Sequence, residues 1–142
     1  MEPYLDALTR KANAFAELLE VSRGQETLLS QEDPSPLLAL LGRKKAIIRR
    51  IEEIDRDLAS ARADWEARSR EVTRDQAAGL LARIRKTLEE LMACEEETRR
   101  RTEDVKRQTL DEMTRIRQGR RAAEIYRRLP RGHGPSGGGL QG

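Results

Sequence analysis

The sequence predicts an all-α fold: an elongated antiparallel three-helix bundle, in effect a short coiled coil, with a disordered C-terminal tail. Three observations carry this. Apolar and charged residues each make up 37% of the 142 positions, with only four aromatics, Tyr4, Phe15, Trp65 and Tyr126. Rich in Ala, Glu, Leu, Lys and Arg, such a chain suits narrow cores between long helices. Apolar residues recur at three- and four-residue steps, the spacing of one helical face. Turn chemistry breaks that periodicity near residues 31–36 and 69–73. A single domain over 1–128 and a tail over 129–142 are expected.

The first helix is expected over 3–30. Pro3 suits its first position, where the missing N–H has no partner in any case. Leu5, Leu8, Ala12, Phe15, Leu19 and Leu29 form one stripe, which Gly24 interrupts at modest cost. The segment QEDPSP, residues 31–36, ends the helix, because two prolines in three residues cannot continue it.

The second helix is expected over 36–70, with Ser35 as N-cap and Pro36 as first helical residue. Its stripe is Leu37, Leu40, Leu41, Ile47, Ile51, Ile54, Leu58, Ala61, Trp65 and Val72, shared with Lys44 and Arg68. Ile51 and Ile54 are expected on the seam between helices, with Phe15 and Leu88 nearby in the core. A turn near 69–73 follows, with Thr73 and Gln76 as a capping box. One unbroken helix through this region is the alternative.

The third helix is expected over 74–128. Ala77, Leu81, Ile84, Leu88 and Leu91 make its stripe. The stripe thins to Thr98, Thr102 and Val105, then resumes at Leu110, Met113, Ile116, Ala123 and Tyr126. The polar stretch can hold its helix through acid-first pairs such as Glu95–Arg99, Glu96–Arg100, Glu97–Arg101 and Glu103–Arg107. Residues 129–142, LPRGHGPSGGGLQG, are expected to be disordered, and His133 lies there.

Lengths locate a candidate binding segment. At about 1.5 Å per residue, the second helix spans roughly 50 Å and the third roughly 80 Å. Antiparallel from a turn at 69–73, the third passes the start of the second near residue 108. Val105, Leu110, Met113, Ile116, Ile125 and Tyr126 then stand at or beyond the end of the packed region. An apolar stripe of this kind is buried by a partner, by a bend, for which Gly119 is placed, or by a homodimer.

Charge is uneven along the chain. Residues 1–36 hold three basic and seven acidic side chains, net −4, whereas 113–128 hold six arginines and one glutamate, net +5. The bland reading is solvated helix faces; the functional one is an acidic partner near the C-terminal end. The lone Cys94 excludes an internal disulfide and suits a reducing cytoplasm, and one cysteine with one histidine builds no zinc site. No signal peptide, membrane span, phosphate loop or catalytic constellation is legible, so neither enzyme activity nor a cofactor is expected.

The stretch LLEVSRGQETLLSQEDPSPLLALLGRKKAIIRRIEEID resembles the flagellar type III export chaperones of the FlgN and FliT kind. The matching features are Leu18-Leu19, Glu26, the acidic turn Glu32-Asp33, Leu40-Leu41, Lys44 and the apolar-rich run from Ile47 to Ile54. Tyr126 and Gly132 are similar to a tyrosine ahead of a Gly-containing end. The resemblance covers about residues 5–58 and, more weakly, 119–132; residues 73–118 match only as helix. It implies a small cytoplasmic helical bundle without enzymatic activity. Such a protein binds helical C-terminal segments of secreted hook-associated or filament-cap proteins and delivers them to the flagellar export gate. The overhanging stripe makes Val105, Leu110, Met113, Ile116 and Ile125 the expected client contacts, and by the resemblance Tyr126 would contact the gate. One rival is a coiled-coil component of the export apparatus, against which the proline turn argues. Another is a basic nucleic-acid-binding protein, suggested by Arg115, Arg117, Arg120, Arg121, Arg127 and Arg128. It lacks stacking aromatics and a helix-turn-helix.

Overall fold

The structure is a computed structural model that describes residues 2–129. The tail expected over 129–142 therefore lies, but for Leu129, outside the described residues, as does His133. Three α-helices account for nearly all of the rest: α1 (Pro3–Leu28), α2 (Ser35–Arg68) and α3 (Glu71–Arg128), with no strand among the described residues. By internal packing the chain divides into two units, the first ending at Thr102 and the second beginning at Glu103.

Local chemistry sets the helix ends. The Tyr4 N–H donates to the Glu2 side chain at 3.0 Å, with Pro3 opening α1 behind it. At the turn, the Ser35 N–H donates to Asp33 Oδ1 at 3.0 Å. That bond, and a second from the Ser35 hydroxyl, hold the exposed Asp33 carboxyl below its ordinary pKa. Ser35 is thus the first helical residue and not the N-cap; Pro34 occupies the cap without a side-chain bond. α2 ends where Ser69 turns to extended backbone, and only Ser69 and Arg70 separate it from α3. The Thr73–Gln76 box does not form. Thr73 Oγ1 instead accepts the Arg70 N–H at 2.9 Å and donates to the Arg70 carbonyl at 2.8 Å. Thr73 reaches back from the first turn of α3, so the helix starts three residues sooner than a Thr73 cap allows.

In the first unit α2 runs antiparallel to both other helices. Tyr4 stacks on Trp65 with ring centroids 4.7 Å apart, while Gly24 meets Leu40 at the other end. Arg83 Nη2 donates to Asn13 Oδ1, and Arg101 pairs with Glu26, so α1 and α3 run parallel. A Cβ on Gly24 would come within 3.2 Å of Leu40 Cδ2. Gly24 therefore lets α1 and α2 approach closely as well as interrupting the stripe.

The core follows a seven-residue rhythm, as in coiled coils. On α3, Ala77, Ile84, Leu91 and Thr98 are buried, with half-buried Leu80, Thr87 and Cys94 three positions after the first three of them. On α2, Lys44, Ile51, Leu58 and Trp65 interleave with Ile47, Ile54 and Ala61. α1 touches both neighbours and buries a broader face: Ala7, Leu8, Ala12, Ala14, Leu18, Leu19, Val21 and Ser22. Phe15 packs against both apolar clusters.

Leu88 does not lie in the core. It is 39% exposed, and Leu81, Leu41 and Val72 are exposed as well. A sequence reading at three- and four-residue steps accepts Leu81 and Leu88 equally with Leu80 and Thr87. The rotation of α3 against α1 decides between the sets, and it turns Leu80 and Thr87 inward, where they are half-buried. Val72 belongs to the first turn of α3, not to α2.

Removing a buried side chain leaves a cavity and costs about 2–5 kcal/mol. Ile51→Ala and Leu91→Ala should each lower the melting temperature clearly, and Leu88→Ala much less. Glu96→Ala, at an exposed ion pair with Arg99, should barely change it. Thermal unfolding followed by circular dichroism checks this; equal losses for Leu88→Ala and Leu91→Ala would rotate α3 out of the register described.

Candidate functional site

Two features compete as the functional site: a polar layer inside the first unit, and the exposed helical segment of the second. The polar layer draws on all three helices. Lys44, buried along its stem, donates to Glu95 Oε1 at 2.6 Å and to Gln25 Oε1 at 2.9 Å. Beside it, Cys94 Sγ donates to Glu26 Oε2 at 3.9 Å, and Arg101 pairs with Glu26 at 3.4 Å. Glu95 thus serves Lys44 rather than Arg99, which pairs with Glu96 at 2.7 Å. Glu96–Arg100 and Glu97–Arg101 form along α3, both at 3.5 Å. Further on, Glu103 pairs with Lys106, and Arg107 takes Asp104.

This layer ties the three helices together. Burial first, then the nearby Glu26 and Glu95 carboxylates, raise the Cys94 thiol above its ordinary pKa. A thiol held protonated is the reverse of the electropositive setting that activates a cysteine. Among the described residues no group of three or more His, Cys, Asp or Glu side chains could hold a metal ion, and no helix is long and apolar enough to cross a membrane.

The second unit offers a surface. Every described residue from Glu103 to Leu129 is exposed, although Glu103–Arg128 is helical throughout. Gly119 lies within that helix. Val105, Leu110, Met113, Ile116, Ile125 and Tyr126 are each between 45% and 77% exposed. Along this segment Val105, Thr109, Met113, Ile116 and Ala123 fall at three-, four- and seven-residue steps and share a face. Leu110 borders it beside Met113, and Tyr126 stands on the other flank. Ile125, twenty residues from Val105, points to the opposite side. The helix therefore gathers three of the six sequence candidates, Val105, Met113 and Ile116. It leaves two at the margins and one behind.

Charge surrounds this face. Glu124 pairs with Arg128 at 3.2 Å. Arg115, Arg117, Arg120, Arg121 and Arg127 have no acidic partner among the described residues, so their positive field is open to an acidic surface.

Sequence reasoning missed a second set of exposed apolar side chains, on the first unit. Leu41 and Ile48 of α2 stand about one turn to either side of Lys44, Met92 and Leu88 of α3 stand about one and two turns before Glu95, and all four are 37% to 64% exposed. The seven-residue spacing of Ala77, Ile84, Leu91 and Thr98 was the available signal, since it puts Leu88 one position past the seam.

A helix with every side chain exposed has only its own ladder to slow opening. Amides of 105–126 should exchange hydrogen far faster than those of 80–98. Hydrogen exchange followed by mass spectrometry reads this directly, and equal protection in the two stretches would mean that 105–126 is covered in solution.

The model of one protein family, described as FlgN protein, matches residues 1–128 of the chain. No curated protein and no solved structure matches it.

Proposed function

The chain belongs to the FlgN family, and from that premise we propose that it is a cytoplasmic chaperone of flagellar type III export. It binds helical C-terminal segments of secreted hook-associated or filament-cap proteins and delivers them to the export gate. The observation that supports this reading is the face of Val105, Met113 and Ile116, exposed along the helix of the second unit. An amphipathic client helix can lay its apolar side there, the recognition mode of helix-in-groove complexes. Leu110 widens the contact beside Met113. Ile125 is reached only by a client that wraps the helix. The arginines from Arg115 to Arg128 speed encounter with an acidic client and orient it, while the apolar stripe supplies the affinity. Tyr126, 77% exposed, stands near the end of the helix and is left for the export gate. The activity is binding, without catalysis, cofactor or metal. A coiled-coil role in the export apparatus remains the alternative within the same machinery.

Because these side chains bury nothing in their own unit, changing them should spare the fold. Met113→Asp combined with Ile116→Asp should abolish binding of hook-associated or cap C-terminal fragments in calorimetric titrations. Helicity and melting temperature should stay near those of the parent protein. Client binding should survive high salt, which a contact to nucleic-acid phosphates would not. Undiminished client binding by the double variant would move the client site elsewhere. Failure to bind any fragment, with tight salt-sensitive binding of DNA or RNA, would replace the chaperone reading.

A further inference from the structure

The first unit leaves one side uncovered. Five of the exposed apolar side chains of the α2–α3 pair, Leu41, Ile48, Leu81, Leu88 and Met92, border the seam between those helices, whereas α1 exposes no large hydrophobic residue. Most contacts of α1 mark the opposite flanks: Glu17 pairs with Arg50 on α2, and Asn13 and Glu26 meet Arg83 and Arg101 on α3, while Lys11 reaches Asp55, one heptad past Ile48, at the far end of the face. At that end a cleft of about 330 Å³ lies among all three helices, where Leu8 and Lys11 of α1 and Leu58 and Arg62 of α2 face Leu81 of α3.

The charges rimming this face are complementary under a two-fold axis. Lys44 touches Glu95, and α2 and α3 are antiparallel, so a residue further along α2 is level with one earlier on α3. Arg49 is then level with Glu89, and Glu52 lies about two residues from the level of Arg85. All four are exposed, and none has an ion-pair partner among the described residues. A two-fold axis parallel to the helices lays α2 of one copy against α3 of the other at the same level. Ile48, level with roughly residue 91 of α3, then lies between the partner's Leu88 and the partner's Met92, and Leu41 continues the apolar face past the partner's Met92. Arg49 meets the partner's Glu89, and Glu52 meets the partner's Arg85.

We propose that this α2–α3 face is the interface of a homodimer. From Leu37 to Arg62 the two helices offer a face of about 700 Å², close to the roughly 800 Å² per partner of a specific complex. The proposal does not depend on the client reading: it uses none of residues 103–128, and its test needs no client.

Sedimentation equilibrium of the full chain from about 1 to about 100 µM should show a monomer–dimer equilibrium. Ile48→Asp with Met92→Asp should give a monomer of unchanged helicity. Arg49→Glu alone and Glu89→Arg alone should each weaken the dimer about tenfold, and the two together should restore it. A monomer throughout the range overturns the proposal. So does a dimer that persists in the Ile48→Asp, Met92→Asp variant, or a charge swap that fails to restore association.

Discussion

Lys44 holds the three helices in one axial register. Its ammonium reaches Glu95 on α3 and Gln25 on α1 from a position in the seven-residue repeat of α2. A half-buried cation needs its partners, because leaving it unpaired costs far more than the pair contributes in water. Slipping α2 by one turn would strand Lys44 among apolar side chains and separate it from Glu95. A polar residue at a core position of a coiled coil acts in this way, setting register at some expense of stability. With the register set, Ile47, Ile51 and Ile54 join Leu18, Leu19, Val21 and Leu91 in one cluster. Leu8, Ala12, Ala77 and Ile84 form the other, with Trp65 and Tyr4 packed against it.

The same constraint determines what remains outside. Glu95 must point at Lys44, so Leu88 and Met92, on the same side of α3, cannot also turn toward α1. Their exposure follows from the position of the ion pair. A narrow core of this kind has few large side chains, and Gly24, Ala7, Ala14 and Ser22 allow α1 to lie close to its neighbours. Close packing by small residues stands in for the aromatic bulk that the chain lacks.

α3 serves two ends with one helix. Its first part spends its apolar positions on the core. Beyond Thr102 the apolar residues are sparser, no described side chain is buried, and arginine predominates. In-helix ion pairs such as Glu103–Lys106, Asp104–Arg107 and Glu124–Arg128 favour the helical state without using the apolar face. That division of labour leaves Val105, Met113 and Ile116 available to a helical client, the use proposed for them.

Much of this could be read along the chain. The all-helical class, the break at the proline turn and the Ile51–Ile54 seam follow from local rules: periodicity, capping chemistry and the lack of an N–H on proline. Lys44 on the apolar stripe was legible too, though not its partners. Family membership was legible in the run from Leu18 to Ile54. Tertiary structure alone decided which neighbouring row of α3 turns inward. Leu80 and Leu81, or Thr87 and Leu88, differ by about 100° on a helix, and three- and four-residue steps admit either row. Only the placement of α1 and the Lys44–Glu95 contact choose. Tertiary structure also paired Glu95 with Lys44 instead of Arg99, because a partner on another helix offers a half-buried contact that an exposed in-helix pair does not. A sequence records spacing along each helix; the rotation of one helix against another is set by which side chains interlock, and that exists only once all three are packed.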